Sequence, residues 1–486
     1  MFYNAFGWRF SETELLSKED NMKKNLFKKM IAVLLAMTML GAAVPFTATG
    51  APSTGVDYTI VNPYEDVDWE NWGQYKANLH THSLVSDGKE HFADMVERHY
   101  ELGYDILAMT DHGTVDRSWT DLNINPGLTF AMNIKTFGSN PIPLTPERFE
   151  QISSGADRGG RGMLRAPYGI EHNAAAFNNT HVNSLFADWG DGYLGGTSYY
   201  DHILRGVEDA GGLSFINHPG EYTGARKDNT DDAYDTSNIR YDYIVKKFTT
   251  LFRNYESCVG MEIINKNDSR TKNDRKLWDL LLADVIPTGR NIFGFGNSDA
   301  HYLDAIDTNW NVMLMPSNTV ENLRICMEKG AFFAASHNIR NPKELKRLED
   351  ETGLTLGETW DADRTLPKPE VTNITVDNRE DRIAITAVNH ETIHWIADGQ
   401  VIQIGGTIDL DNFTGKLGSY VRAEIWGEGG ILYSQPFILE YEGAPTAETF
   451  FFFDFGWILH YFENLFYRLV EASVILSSLQ SWALKD

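Results

Sequence analysis

Between about residues 75 and 335, short apolar runs alternate with amphipathic stretches, and the period of the apolar positions changes from one segment to the next. The stretch QYKANLH, ending at His80, reads as a strand. KEHFADMVERHYELG follows with Phe92, Met95, Val96, His99 and Leu102 at helical spacing and Gly103 placed to stop the helix. YDILAMTDH is a continuous apolar run suited to a strand covered on both faces. MLRAPYGIEHN, LSFINHPG, CVGMEIIN and NIFGFGNSDAH read as further strands, and YYDHILRGVEDAGG and DRKLWDLLLADV as helices among them. Alternation of this kind predicts a parallel α/β sheet, open or closed into a barrel.

The pattern changes after about Ser336. A charged helix, NPKELKRLEDETG, is followed by the proline-marked joint RTLPKPE. From Val371 to Leu439 the signals are short strands with glycine turns, Asp398-Gly399 among them, which predict a small all-β sandwich. The final stretch is strongly apolar but interrupted by Asp454, Glu463, Arg468 and Glu471. Those charges argue against a spanning helix. They predict a C-terminal amphipathic helix that docks on the chain, on a protein partner, or at a membrane or cell surface.

At the other end, MKKNLFKKMIAVLLAMTMLGAAVPFTATGAP starts at Met22 with lysines, continues with an apolar run from Met30 to Val44, and ends with small residues at Ala48 and Gly50. That order is the order of a secretory signal peptide, and the run is too short and wrongly flanked for a membrane span. Met22 is therefore read as the true start, and the product as secreted or extracytoplasmic. The expected organisation is an upstream extension and signal over 1–50, a lead-in over 51–74, a catalytic domain over 75–345, a linker over 346–369, the sandwich over 370–440 and the apolar helical segment over 441–486.

Composition adds two restrictions. The 486 residues carry a formal net charge of −26, which disfavours long nucleic acid and anionic membranes as partners while leaving room for a local phosphate pocket. Only two cysteines are present, Cys258 and Cys326, so the exported chain does not rest on a disulfide framework. Oligomeric state is left open.

The chemistry collects at strand ends. His80 and His82 close the first strand and, at i and i+2, face the same way; Asp87 follows in a Ser-Asp-Gly turn. His112 ends the second strand, Glu171 the next, with His181 in the loop after it; His218 ends another, and Asp299 and His301 the last. Carboxyl ends of strands in α/β folds share one face, so these distant residues are expected to converge. A single histidine at a strand end is more often a hydrogen-bonded structural residue, but six of the 14 histidines fall at successive strand ends or in the adjoining loops. His91, His99, His390, His394 and His460 read as structural. His172 should face away from Glu171, and Glu262 is as well suited to support a ligand as to be one. Nine imidazole and carboxylate ligands exceed the needs of one tetrahedral ion and suit two or three divalent ions, zinc or manganese with iron as a further choice.

In this order, HTH with SDG, TDHG, GIE, HP and SDAH resemble the motifs of the polymerase and histidinol phosphatase (PHP) superfamily, over about Tyr75 to Ala335. The resemblance implies a distorted (β/α)7 barrel, a trinuclear metal centre held by the nine residues above, and phosphoester hydrolysis. A metal-bound hydroxide is then the expected nucleophile, on a small phosphomonoester or nucleotide. Asp87 and His301 are the candidates for orienting water or assisting the leaving group. Arg158, Arg161, Arg165 and Arg226 are the candidates for phosphate contacts, with Arg165 and Arg226 preferred. Two alternatives stand beside this reading: an amidohydrolase-type hydrolase, which also begins with His-x-His, and an exported surface-binding protein with a structural metal site.

Overall fold

The computed structural model describes residues 55–124, 141–173, 180–191, 199–227 and 233–454, with single helical positions at Ile458, Phe462, Leu465 and Leu469, all four exposed. The signal-like run and the rest of the expected C-terminal helix lie outside the described residues. No helix among the described residues is long and apolar enough to cross a membrane.

The first part of the chain forms β1 (Thr59–Val61), β2 (Gly73–Asn78), β3 (Ile106–Leu107), β4 (Leu164–Arg165), β5 (Ile170–Asn173), β6 (His181–Leu185), β7 (Leu213–Ile216), β8 (Cys258–Asn265), β9 (Phe293–Asn297), β10 (Asn309–Met315) and β11 (Phe332–Ser336). Among them run α1 (Phe92–Glu101), α2 (Pro146–Ser154), α3 (Tyr200–Asp209), α4 (Ile239–Asn254), α5 (Asp274–Val285) and α6 (Val320–Lys329). α1 buries Phe92, Met95, Val96, His99 and Tyr100, the face its apolar spacing predicts, and Gly103, at φ 79°, lies just beyond its end. All eight residues of β8 are buried, as a continuous apolar run requires.

Beyond β12 (Asn338–Ile339) and α7 (Pro342–Thr352), only strands and one short 3-10 turn follow up to Glu440: β13 (Trp360–Asp361), β14 (Glu370–Asp377), β15 (Arg382–Val388), β16 (Thr392–Ala397), β17 (Gln400–Ile404), β18 (Thr407–Asp409), β19 (Tyr420–Gly427), β20 (Gly430–Tyr433) and β21 (Phe437–Glu440).

The expected closed (β/α)7 barrel is not formed. β5-β6-β7-β8-β9 make an open five-stranded sheet, whereas β2, β3 and β4 end a separate eleven-stranded sheet of order β1-β21-β19-β20-β11-β10-β2-β3-β4, from which β16 and β17 branch at β19. The reason lies in the edges of β2. One edge pairs with β3 in parallel and the other with β10 antiparallel, so no edge is left for β9 to close a ring. The two sheets meet through the isolated bridges Thr81–Ala300, whose residues are flanked by candidate ligands, and His112–Glu171, which joins two of them. Nor is the five-stranded sheet purely parallel, because β6 is antiparallel to both β5 and β7.

The expected sandwich is corrected as well. β14-β15-β18 form a three-stranded sheet of their own, but β20 pairs with β11 and carries β19, β21, β16 and β17 into the large sheet. Ile374, Ile383, Ile385 and Ile408 share one core with Trp395, Val421 and Ile425, and that core runs on to Met95, Leu107 and Trp310. A second core joins Trp278 and Leu282 of α5 and Phe252 of α4 to Tyr420 and Trp426. Apolar surface on β11 and β19 thus leaves no seam at which a separate β module ends. Just beyond the last strand, the Phe452 ring lies tilted against Tyr243 of α4 at 5.1 Å, and the Tyr243 hydroxyl donates to Asp454 Oδ1 (2.7 Å).

Candidate metal centre

His80, Thr81 and His82 continue β2 beyond its ladder, and the pairing of Thr81 with Ala300 leaves the two imidazoles on one side. The chain then turns sharply. Gly88 N donates to Ser83 O at 2.9 Å, and a Cβ at Gly88 would stand 2.6 Å from the Ser83 backbone, so this turn admits only glycine. Asp111 holds the turn from below: its carboxylate accepts from Ser83 N (2.7 Å), Ser83 Oγ (2.8 Å), Ser86 N (3.1 Å) and Ser86 Oγ (2.7 Å). Asp87 is thereby delivered beside His112 and His301.

Glu171 is the hub. Its Oε2 lies 3.2 Å from His80 Nε2, 3.1 Å from His82 Nε2 and 3.1 Å from His112 Nδ1. Its Oε1 lies 2.8 Å from His181 Nδ1 and 3.5 Å from His218 Nε2. Asp299 Oδ1 faces His82 Nε2 (3.2 Å) and His301 Nδ1 (3.3 Å), and Asp87 Oδ1 faces His301 Nε2 (3.3 Å) and His112 Nε2 (3.6 Å). All nine candidate ligands therefore meet in one place. His181 does so from the first position of β6 rather than from a loop.

Several of these contacts are at ion-pair distance but outside hydrogen-bond geometry, and His218 Nδ1 and Asp299 Oδ1 are buried without a hydrogen-bond partner. Four groups of donors, each within 4.8 Å, overlap: His82, Asp87, His112 and His301; His80, His218 and Asp299; His80, His82 and Glu171; His112, Glu171 and His181. A thiolate-free set of imidazoles and carboxylates around shared carboxylate oxygens fits divalent cations.

Burial opposes charge throughout the cluster, and the neighbours decide the outcome. His80 and His82 are buried, yet the carboxylates of Asp299 and Glu171 hold both above the ordinary imidazole value, His82 at about 10. For His112 burial wins over Glu171 and Asp87, and its value falls to about 3. Glu171 and Asp299 stay well below the usual carboxylate range because the surrounding imidazoles, His80 foremost, outweigh their burial.

Behind the ligands stands Glu262. Its Oε1 is 2.8 Å from His80 Nδ1 and accepts from Asn297 Nδ2 (2.9 Å); its Oε2 accepts from His218 N (3.0 Å) and Asn265 Nδ2 (2.9 Å). An imidazole that donates Nδ1–H to a carboxylate presents Nε2 to the centre, so Glu262 selects the tautomer of His80. Asn217 Nδ2 likewise donates to Glu171 Oε1 (2.8 Å), and Tyr222 stacks on His181 at 4.8 Å.

His172 is turned away, with Nε2 at 2.8 Å from Ser184 Oγ. Three of the four candidate arginines are engaged elsewhere. Arg165 donates to Asp116 O (3.0 Å) and Oδ2 (3.4 Å), Arg161 forks onto Asp105, and Arg158 donates to Tyr104 O (2.8 Å). Arg226 lies on the short 3-10 turn Ala225–Lys227. A cation that the motifs did not single out, Lys266, instead stands at the centre, its Nζ 2.8 Å from Asp299 Oδ2. Its signal is faint, a lysine one residue beyond a buried strand. A cavity of about 590 Å³ between α5, α7 and β19 includes none of the nine residues, and the buried charges along it pair among themselves, Arg422 with Asp279 and Arg347 with Glu424.

No protein-family model and no curated protein matches the chain. Among solved structures it is similar to a two-domain protein from Bacteroides vulgatus containing a predicted PHP-like metal-dependent phosphoesterase, at 15% identity and TM-score 0.37 over 80% of this chain and 91% of that one. It is also similar to an amidohydrolase from Chromobacterium violaceum, at 15% identity and TM-score 0.25 over 46% of this chain and 87% of that one. The chain carries a buried cluster of histidines and carboxylates able to coordinate divalent metals, set between the open five-stranded sheet and the eleven-stranded sheet of an α/β fold.

Proposed function

We propose that this protein is an exported metal-dependent hydrolase of phosphate esters, with small phosphomonoesters or nucleotides as substrates. The observation that carries the reading is the hub at Glu171, one buried carboxylate within 3.5 Å of five imidazoles, flanked by Asp87 and Asp299. Such a set would hold two or three ions, and the nine residues named above are their proposed ligands. When bound, the ions supply Lewis acidity and a water of lowered pKa.

The protein's part is positioning and proton handling. His80, His82, His112 and His218 stay fixed because they are buried and, for His80, tied to Glu262. Asp87 and His301 form the more open side, 28% and 21% exposed. His301 Nδ1 donates to the Asp299 carbonyl at 2.9 Å, which leaves Nε2 to face Asp87 and an entering substrate. That pair is placed to orient a water, and a proton can pass to the leaving oxygen only from whichever of the two is not engaged by an ion. The net charge of −26 does not itself attract an anion, so a small phosphorylated substrate would be drawn in by the local cations rather than by the surface as a whole.

Phosphate release from a phosphomonoester and nucleotide panel tests this, with the chain from Ala51 onward, manganese or zinc added, a chelator control and His80→Ala. Turnover that requires both the metal and His80 is expected. A folded, metal-loaded protein that releases no phosphate from any member would overturn the reading, and amide or ester substrates would then be the next panel.

A further inference from the structure

Three neighbouring parallel strands, β7, β8 and β9, each release the chain through a non-glycine residue with left-handed backbone: His218 at φ 26°, Lys266 at φ 51° and Asp299 at φ 46°. Residues with a Cβ avoid this region, and such bends are held only where the surroundings enforce them, commonly at functional sites. Two of the three are candidate metal ligands that the bend aims at the centre. Lys266 bends the middle strand's exit one residue beyond Asn265, where His218 and Asp299 lie two beyond their strand ends, and Asn309 Nδ2, donating to its carbonyl at 2.6 Å, fixes it there.

The side chain lies where the buried donors end and solvent begins. Lys266 is 36% exposed, against 2% for Asp299, whose Oδ2 is 2.8 Å from the ammonium while Oδ1 faces His82 and His301. An ammonium has three donors, and Asp299 accepts from one of them. The geometry points to Lys266 as the contact for a non-bridging oxygen of the substrate's phosphoryl group, an inference that rests on the phosphoesterase reading above. A point charge beside the centre recognises phosphate without the planar fork of an arginine. This fits a fold in which Arg158, Arg161 and Arg165 are bonded to groups away from the centre.

The test compares the manganese-loaded wild type with Lys266→Asn and Lys266→Arg. Asparagine tolerates left-handed backbone without carrying charge, and arginine restores the charge. Three quantities are read: affinity for inorganic phosphate by calorimetry, KM and kcat for a phosphomonoester, and bound manganese per chain. Lys266→Asn is expected to weaken phosphate binding and raise KM by about tenfold or more, with bound manganese unchanged and part of the loss recovered in Lys266→Arg. Unchanged phosphate affinity in Lys266→Asn would overturn the assignment, as would a wild type that binds no phosphate. Joint loss of manganese and phosphate would also overturn it, by making Lys266 a support for Asp299 alone. A wild type that binds phosphate through Lys266 yet hydrolyses no phosphoester would overturn the proposed function and leave the contact standing.

Discussion

Glu262 makes no contact that calls for a charge except the one to His80, since its other three donors are neutral amides and a backbone N–H. Glu262→Gln keeps the shape and removes the anionic acceptor. It is expected to lower metal retention by about 10–100-fold while the fold persists, measured as metal per chain after dialysis against a weak chelator. Full retention would mean that Glu262 serves packing alone. Asp116 offers a second residue-scale test. Its carboxyl is pushed up to about 6, because burial outweighs Arg165 and the Trp119 N–H. The folded value exceeds the ordinary one, so the cost of burying the charge is absent below about pH 4, grows as pH rises towards 6 and is constant above. At neutral pH it is on the order of 2–3 kcal/mol. Asp116→Asn keeps an acceptor for Trp119 and should raise the urea midpoint at about pH 7.5, by about 1–2 kcal/mol in stability, with that gain gone at about pH 4. A variant with the same advantage at both values would show that Asp116 does not titrate as its burial dictates.

At the scale of elements, the β11–β20 pair decides how the chain can be divided. Ala334, Ala335 and Ser336 pair with Tyr433, Leu432 and Ile431, and all six are buried. A fragment ending at residue 345 would lose this partner and most of the core around Trp395 and Ile425, and would leave an apolar edge open to aggregation. Such a fragment is expected to show no cooperative thermal transition and to aggregate at concentrations where the full chain is monodisperse, checked by calorimetry and light scattering. A soluble, cooperatively unfolding fragment would show that the strands after Glu370 are an appendage after all.

For the whole molecule, the donor set links metal to stability. Ions bound to the folded chain and not to the unfolded one stabilise it by about 4 kcal/mol per site at a thousandfold excess over Kd. Chelation is therefore expected to lower the melting temperature of the wild type, while His80→Ala shows a smaller shift because its occupancy is already reduced. Equal midpoints with and without chelator would remove the centre as a metal site. Much of this was legible along the chain. The alternation of periods marks β2, α1, β3, β5, β7, β8, α3, α5 and β9, and His80, His82, His112, Glu171, His218, Asp299 and His301 are visible as polar residues at the ends of apolar runs, with Asp87 in the turn after the first. These are local properties, set by neighbours a few residues away. Strand order, and with it the absence of a closed ring, depends on which edge each strand offers, and an apolar run such as β10 says nothing of whether it will flank β2 or β9. The same limit applies to charge: Arg165 reads as a phosphate ligand until Asp116, 49 residues away, takes it, and the link of His80 to Glu262 spans 182 residues. Local pattern specifies which residues are apolar, which turn and which carry donors; only the packed fold assigns partners, because pairing energies depend on distances that the chain's order does not contain.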